Sequence, residues 1–403
     1  MIAMRVDKSV VIYLDFKGEE KVVFKSLSQN PGIGGTQYVS VLLADGLKRL
    51  GWDITIASNQ VVFFADNNFE FVNVKSYSDL FDISKEKKLI ISGETHKKIC
   101  PYTLSKYKKY LALNLVVWLH HPYYYYGVNR YTARSFVSCG FYAYLSNCAL
   151  RSANSEYIRN IVVGSVRERA RELSPDKNIK LFHMSNLSNY KGYIDFLKIS
   201  DFLASAGLNI ECHIVGSPFL YEPMSKKNTD FVSHQNSLID LRFVSQEQIF
   251  YYGILGAEKY DVMSACDFAI LNYAGRTEAF PASMLEAQSV GLPVLVKSNY
   301  GNTEFTTIVV RDYEDVLNII RRSIDDVEYY SNLSKKSIAS FINFESQNHV
   351  TMKRWESLLL DSGGLLSEAG YSSYPFIKGS YLVFFLSWVA VLRAFFLNFV
   401  KKG

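Results

Sequence analysis

Hydrophobic positions along this chain fall into two series of short apolar runs separated by amphipathic, helix-length stretches. In the first series, "KVVFKSLSQNPGIGGTQYVSVLLADGLKRLGWDITIAS" reads as a strand, a glycine-rich turn, a helix and a second strand. Val39, Leu42, Leu43, Leu47 and Leu50 share one helical stripe, and Gly51 supplies the expected stop. "KLIIS" and "LNLVVWL" continue the alternation to about residue 165. The charged stretch "SVRERARELSPDKN" is predicted helical and leads into the second series. Its strands read "IKLFHM", "NIECHIVG", "LRFV", "DFAILN" and "PVLVKS". Such alternation predicts an α/β chain of two tandem doubly wound, Rossmann-like domains, residues 1–165 and 166–360, each built on a mostly parallel sheet. Ligands of such sheets sit beyond the carboxyl ends of the strands, where "PGIGGTQ", "LHHP" and Glu278 all fall.

After "SQNHVTMKRWESLLL" the pattern changes. Residues 361–403 form a third region, with the linker "DSGGLLSEAG" followed by the apolar run "YLVFFLSWVAVLRAFFLNFV" over 381–400. As a helix this run approaches ~30 Å. Arg393 lies inside it, however, at a cost of roughly 2.5–3.5 kcal/mol at a bilayer centre. Ser380, Ser387, Asn398, Lys401 and Lys402 gather loosely on one face, which predicts a helix lying in the membrane interface rather than crossing it. A helix buried between domains or in a homodimer is the alternative.

A chain of 403 residues suits two or three domains. Net charge is +5, and it is uneven: residues 1–165 hold 20 Lys+Arg against 13 Asp+Glu, the remainder 24 against 26. A basic first half faces something anionic. No helix-turn-helix, zinc-finger or RNP pattern supports nucleic acid as that partner. Cys100, Cys139, Cys148, Cys212 and Cys266 are scattered without a C-x-x-C pair, which implies a reducing compartment and no structural metal. The first twenty residues carry acids where a signal peptide needs an apolar core, so the expected location is cytoplasmic.

The turn "PGIGGTQ" opens a helix after a strand, so its N–H groups and the helix dipole suit an anion. A dinucleotide site fits poorly: Gly32 and Gly34 match two glycines of G-x-G-x-x-G, but Gln37 stands at the third, and "DITIASNQ" offers no carboxylate for a ribose. A tight turn without a ligand is the plainer reading. Further on, "RTEAFPASMLEAQSVGLPVL" sets Glu278 in a loop leaving a strand, Pro281 at the first turn of the next helix, and Glu286 inside that helix. No D-x-D and no histidine–carboxylate cluster with ligand spacing occurs, so no metal is expected.

These motifs stand in a recognisable order: "GIGGTQ", the histidine of "VVWLHHP", "NSEYIRN", "SNLSNYKG", an "IVG" strand end, the E-x7-E stretch and "GNTEF". Residues ~20 to 360 thereby resemble retaining glycosyltransferases of the GT-B fold, most closely glycosyltransferase family 4. The resemblance implies a nucleotide-sugar donor along the second domain, with Glu278 on the sugar hydroxyls and Glu286 on the ribose. It further implies donor contacts from Gly34 and Gly35 and from backbone N–H groups at Phe280, Ala282 and Ser283. The family's R-x4-K-G is here "NLSNYKG": Lys191 is in place, but Asn186 stands where the arginine should be, so Arg276 is a candidate substitute cation. His120 matches the histidine near the reacting sugar, with His121 as the weaker choice, and "PYYYY" could stack on an acceptor sugar or rest on lipid headgroups.

The implied activity is metal-independent, retaining transfer to a lipid-linked or polysaccharide-precursor acceptor, as in lipopolysaccharide or capsule assembly, at the inner face of the membrane. A catalytically weakened sugar-nucleotide-binding subunit, suggested by Asn186, and a nucleotide-sugar epimerase of the same two-domain fold are the alternatives.

Overall fold

The computed structural model describes residues 8–16, 21–24, 30, 33–65, 69–120, 133–140, 144, 155–167, 173, 177–188, 191–218, 240–273, 279–297, 305 and 308–361. The first half begins with β1 (Ser9–Leu14), β2 (Lys21–Phe24), α1 (Gly35–Arg49), β3 (Asp53–Ser58), β4 (Val61–Phe64) and β5 (Glu70–Asn73). It continues through α2 (Tyr77–Ile83), β6 (Lys88–Ser92), α3 (Gly93–Lys98), α4 (Pro101–Lys106) and α5 (Lys108–Asn114) to β7 (Leu115–Leu119), β8 (Ser135–Ser138) and β9 (Ser155–Tyr157). Seven of these strands form one sheet in the order β5-β3-β1-β6-β7-β8-β9, every described pairing parallel. β1 after Ser9, and the whole of β7, run apolar without alternation, and both strands are buried throughout, as strands covered on both faces must be.

The second half supplies β10 (Ile179–Ser185), α6 (Tyr193–Ser205), β11 (Ile210–Gly216), β12 (Ile249–Tyr251), α7 (Lys259–Ala265), β13 (Phe268–Ile270), α8 (Ala282–Ser289), β14 (Val294–Lys297) and β15 (Val309–Val310). Its sheet is also parallel, in the order β12-β11-β10-β13-β14-β15. Three helices end the described residues: α9 (Tyr313–Asp325), α10 (Val327–Ser346) and α11 (Asn348–Leu360). Helix α11 returns to the first half. Trp355 packs edge-on against Trp118 of β7 with ring centroids 5.0 Å apart, and the Asn348 side chain both donates to and accepts from the Val162 backbone, at 2.6 and 3.0 Å.

Two expected strands differ from the reading of the sequence. "KVVF" is not a strand of the main sheet: among the described residues β2 pairs only with β4, and the strand inside the main sheet is the earlier "SVVIYL", between β3 and β6. The β2–β4 pair has one open face, so Val61 and Phe63 are exposed while Val62 and Phe64 are buried. "LRFV" forms no strand. The Asp201 carboxylate accepts the backbone N–H groups of Arg242, Phe243 and Val244 at 2.9, 2.7 and 3.0 Å, which removes those donors from any ladder. The sheet edge is taken by Ile249–Tyr251 instead. "SVRERARELSPDKN" falls largely outside the described residues, as does the whole of 362–403. Among the described residues no helix is long and apolar enough to cross a membrane.

Candidate functional site

In the second sheet β10 lies between β11 and β13, so the connections diverge from its carboxyl end and open a crevice beside Ser185 and Asn186. A cleft of about 220 Å³ occupies this place. Its walls come from the ends of β10 and β11, the approach to α7, and the first turns of α8. The first half contributes Asn30, Ile33 and the opening turn of α1. Gly216 ends β11 with φ +131°, and a Cβ there would lie 1.9 Å from the Ser185 carbonyl oxygen. Only glycine lets the two strand ends approach so closely. Asn272, at the end of β13, also has positive φ (47°), which asparagine tolerates better than most residues.

Glu286 is the chemical centre of this cleft. It lies in the second turn of α8, only 8% exposed, and receives Lys259 Nζ from α7 at 2.5 Å. Lys259 is itself 4% exposed. The two face each other because α7 packs on α8. Tyr38 of α1 reaches toward the same carboxylate from the first half. Burial and the Glu286 charge hold the phenols of Tyr38 and Tyr260 well above their ordinary pKa, so both stay protonated. An ionised carboxylate in such a place can accept two hydroxyl donors from a ligand.

Behind the opposite wall, His183 is fully buried on β10. Its Nδ1 lies 2.9 Å from the Ile270 carbonyl, which can only accept, so the proton sits on Nδ1 and Nε2 accepts from Ser185 Oγ at 2.8 Å. The same Ser185 hydroxyl donates to the Asn186 carbonyl at 2.8 Å, so the two acceptors share its proton, and Asn186 Nδ2 donates to the Pro218 carbonyl at 3.2 Å. Burial lowers the His183 pKa to about 4. The histidine is therefore a neutral brace for the loop that carries Asn186 and Lys191.

The sequence-derived residues divide three ways. Gly35, Asn186, Lys191, Phe280, Ala282, Ser283 and Glu286 all line the cleft. Gly34 caps α1 beside it, and Pro281 caps α8 rather than starting it. The Ala282 N–H already donates to the Phe280 carbonyl at 3.0 Å, so within the structure it serves the turn. His120 stands at the end of β7, its ring centroid 4.8 Å from that of Trp118, and is not among the cleft-lining residues. Arg276, Glu278, His121 and the tyrosines of "PYYYY" lie outside the described residues. Lys259 escaped the sequence reading, because "GAEKYDV" has the look of an ordinary solvated helix start.

The first sheet's carboxyl edge is built differently. Lys98 of α3 pairs with the Asp15 carboxylate just after β1, and Gln37 Nε2 donates to the Asp15 carbonyl at 2.8 Å. Asn59, after β3, bonds both ways with the Phe16 backbone at 2.9 and 3.0 Å. Gln37 at the third glycine position thus ties α1 to β1. Among the described residues no group of His, Cys, Asp and Glu could hold a metal ion. Cys100, Cys139, Cys212 and Cys266 form no disulfide, and Cys148 lies outside the described residues.

Residues 165–336 match the family model described as glycosyl transferases group 1. No curated protein sequence matches the chain. Among solved structures, HepE from Anabaena in complex with UDP-glucose is similar over 86% of this chain and 99% of its own, with 14% identity and a TM-score of 0.58. A glycosyltransferase from Rickettsia africae is similar over 88% of this chain and 98% of its own, at 14% identity and TM-score 0.60. WaaG, a glycosyltransferase involved in lipopolysaccharide biosynthesis, is similar over 88% and 100%, at 12% identity and TM-score 0.52. The chain therefore has the GT-B fold, and its second half, residues 165–336, is similar to the glycosyl transferases group 1 family.

Proposed function

We propose that this glycosyltransferase moves a sugar, with retained configuration and without a metal, from a nucleotide sugar to a lipid-linked or polysaccharide-precursor acceptor. The observation that carries the reading is Glu286: an almost fully buried carboxylate at the switch-point cleft, on the helix that the family match covers. A ribose diol is a ligand such a group can hold. Lys191, on the loop braced by His183, stands ready for the departing diphosphate, which in turn takes the acceptor's proton as the acceptor attacks from the same face. The protein's contribution is alignment and charge stabilisation. We assign the donor half to residues 166–360 and the acceptor half to residues 1–165. Glu278 on the donor sugar and His120 near the reacting centre complete the assignment.

The acceptor half also supports a place at an anionic membrane face. Between Glu94 and Glu156 the sequence carries eight Lys and Arg and no acid. On α3 to α5, Lys97, Lys98, Lys106, Lys108 and Lys109 are exposed, interleaved with Tyr102 at 78% and Leu113 at 63% exposure. Lysines with apolar neighbours are what a headgroup layer binds. The apolar run at 381–400 adds the second membrane signal.

The test is a product analysis by NMR with a panel of nucleotide sugars. Donor consumption only in the presence of an acceptor, with product anomeric configuration equal to the donor's, is the expected result. Release of an epimerised nucleotide sugar without acceptor would replace the reading with an epimerase. The engagement of the Asn186 amide with Pro218 favours one further alternative, a subunit that binds the donor without turning it over.

A further inference from the structure

A departing diphosphate needs more than one positive charge nearby, and Asn186 is neutral, with its amide already donating to Pro218. A second lysine lines the same cleft as Lys191, from a distant part of the sequence. We propose that Lys259 is the second diphosphate-binding cation of this site. In the empty cleft it is held against Glu286. When a nucleotide sugar enters, the ribose hydroxyls take the Glu286 carboxylate and the ammonium turns to the phosphates. This rests on the nucleotide-sugar reading above.

Three features carry the assignment. Both members of the pair are nearly withdrawn from water, at 4% and 8% exposure, and a buried ion pair is a poor way to gain stability, because desolvation offsets most of its attraction. Its position on a ligand cleft, rather than in the core, gives it a different use. Connectivity supplies the second feature. A nucleotide's phosphate is joined through the carbon next to its ribose ring, so a carboxylate that grips the ribose brings the phosphate near any group already touching that carboxylate. Lys259 is such a group, and lysine's flexible stem lets a point charge turn through a short arc. Charge balance is the third. Hydroxyls that displaced the ammonium from Glu286 would leave a buried, unpaired cation unless an anion arrived with them, and the diphosphate is that anion. Lys191 and Lys259 together match its two negative charges.

The experiment compares two affinities in the full-length protein by calorimetry: UDP against uridine, with the matching guanine and adenine pairs alongside. In Lys259→Met the preference for the diphosphate over its nucleoside should fall by about tenfold or more, the loss of one charge-assisted contact. Adding Asn186→Arg to that variant should restore most of the preference. Should Lys259→Met fail to fold, Lys259→Gln keeps a donor toward Glu286 and carries the same measurement. Equal weakening of diphosphate and nucleoside would overturn the proposal and leave Lys259 as a group that merely orients Glu286. Wild-type protein that binds none of these nucleotides would instead remove the donor-site reading, and this assignment with it.

Discussion

The two halves of the molecule treat their lysines in opposite ways. On the second half, Lys259 is buried with one carboxylate in a site shaped by helix packing. On the first half, Lys97, Lys98, Lys106, Lys108 and Lys109 stand exposed, and the Lys98–Asp15 pair leaves its lysine side chain 38% accessible. Exposed charge is screened and adds little to stability, while a buried charge without its partner is costly. The difference separates two tasks. On the proposed function, the second half would hold a small ligand in a fixed pose, and the first would meet a broad surface through summed, salt-dependent attraction.

Breaking the buried pair from either side should have the largest effect. Glu286→Leu or Lys259→Met should each cost ~3–5 kcal/mol of folding stability. The double substitution Lys259→Met with Glu286→Leu should recover most of that loss. Denaturant unfolding of the four proteins checks this, and additive losses in the double variant would show that the pair is not a unit.

A pH titration of stability follows in size. Burial lowers the pKa of both His183 and His96 to about 4, against an ordinary value near 6.5. The unfolded chain therefore binds protons between these pH values while the folded chain does not. Stability is fully present above about pH 6.5, declines as pH falls, and the contribution is gone below about pH 4, at up to about 3 kcal/mol per histidine. His183→Gln and His96→Gln should each flatten part of this slope. A wild-type unfolding midpoint constant across this window would contradict the burial argument.

Lys191 sharpens the comparison within the donor edge. Lys191→Ala should lower turnover by about a hundredfold, roughly 2.7 kcal/mol, with little change in melting temperature. Wild-type turnover in that variant would pass its role to another cation. The smallest effect per residue belongs to the exposed lysines. Each should contribute about 1 kcal/mol to binding an anionic bilayer, and the contribution should fade with salt. Replacing Lys106, Lys108 and Lys109 with Gln should reduce co-flotation with anionic liposomes at low salt while leaving nucleotide affinity unchanged. Wild-type protein that stays off such liposomes at low salt would end the membrane reading.

Much of the frame was legible because it rests on local rules. The stripe of α1, the stop at Gly51 and the uniformly apolar strands follow from periodicity and backbone preference. Glu286 was legible through its motif. What could not be read depends on contacts between distant segments. "LRFV" has strand-forming residues, yet Asp201, forty residues earlier, captures its backbone donors. "SVVIYL" and "KVVF" look alike, and only the pairing partner decides which joins the main sheet. Lys259 reads as a surface lysine until α7 is laid against α8.

The central claim is that a nucleotide sugar is held by Glu286 in this cleft, and thermal unfolding of the wild type and Glu286→Gln across UDP-, GDP-, ADP- and dTDP-sugars tests it most directly. At a hundred times its dissociation constant, the matching donor should add about 2.7 kcal/mol to wild-type stability. The same concentration should add clearly less to Glu286→Gln, whose ribose contact loses ~1–3 kcal/mol. An equal shift in both proteins would place the donor elsewhere, and no shift with any nucleotide sugar would contradict the account.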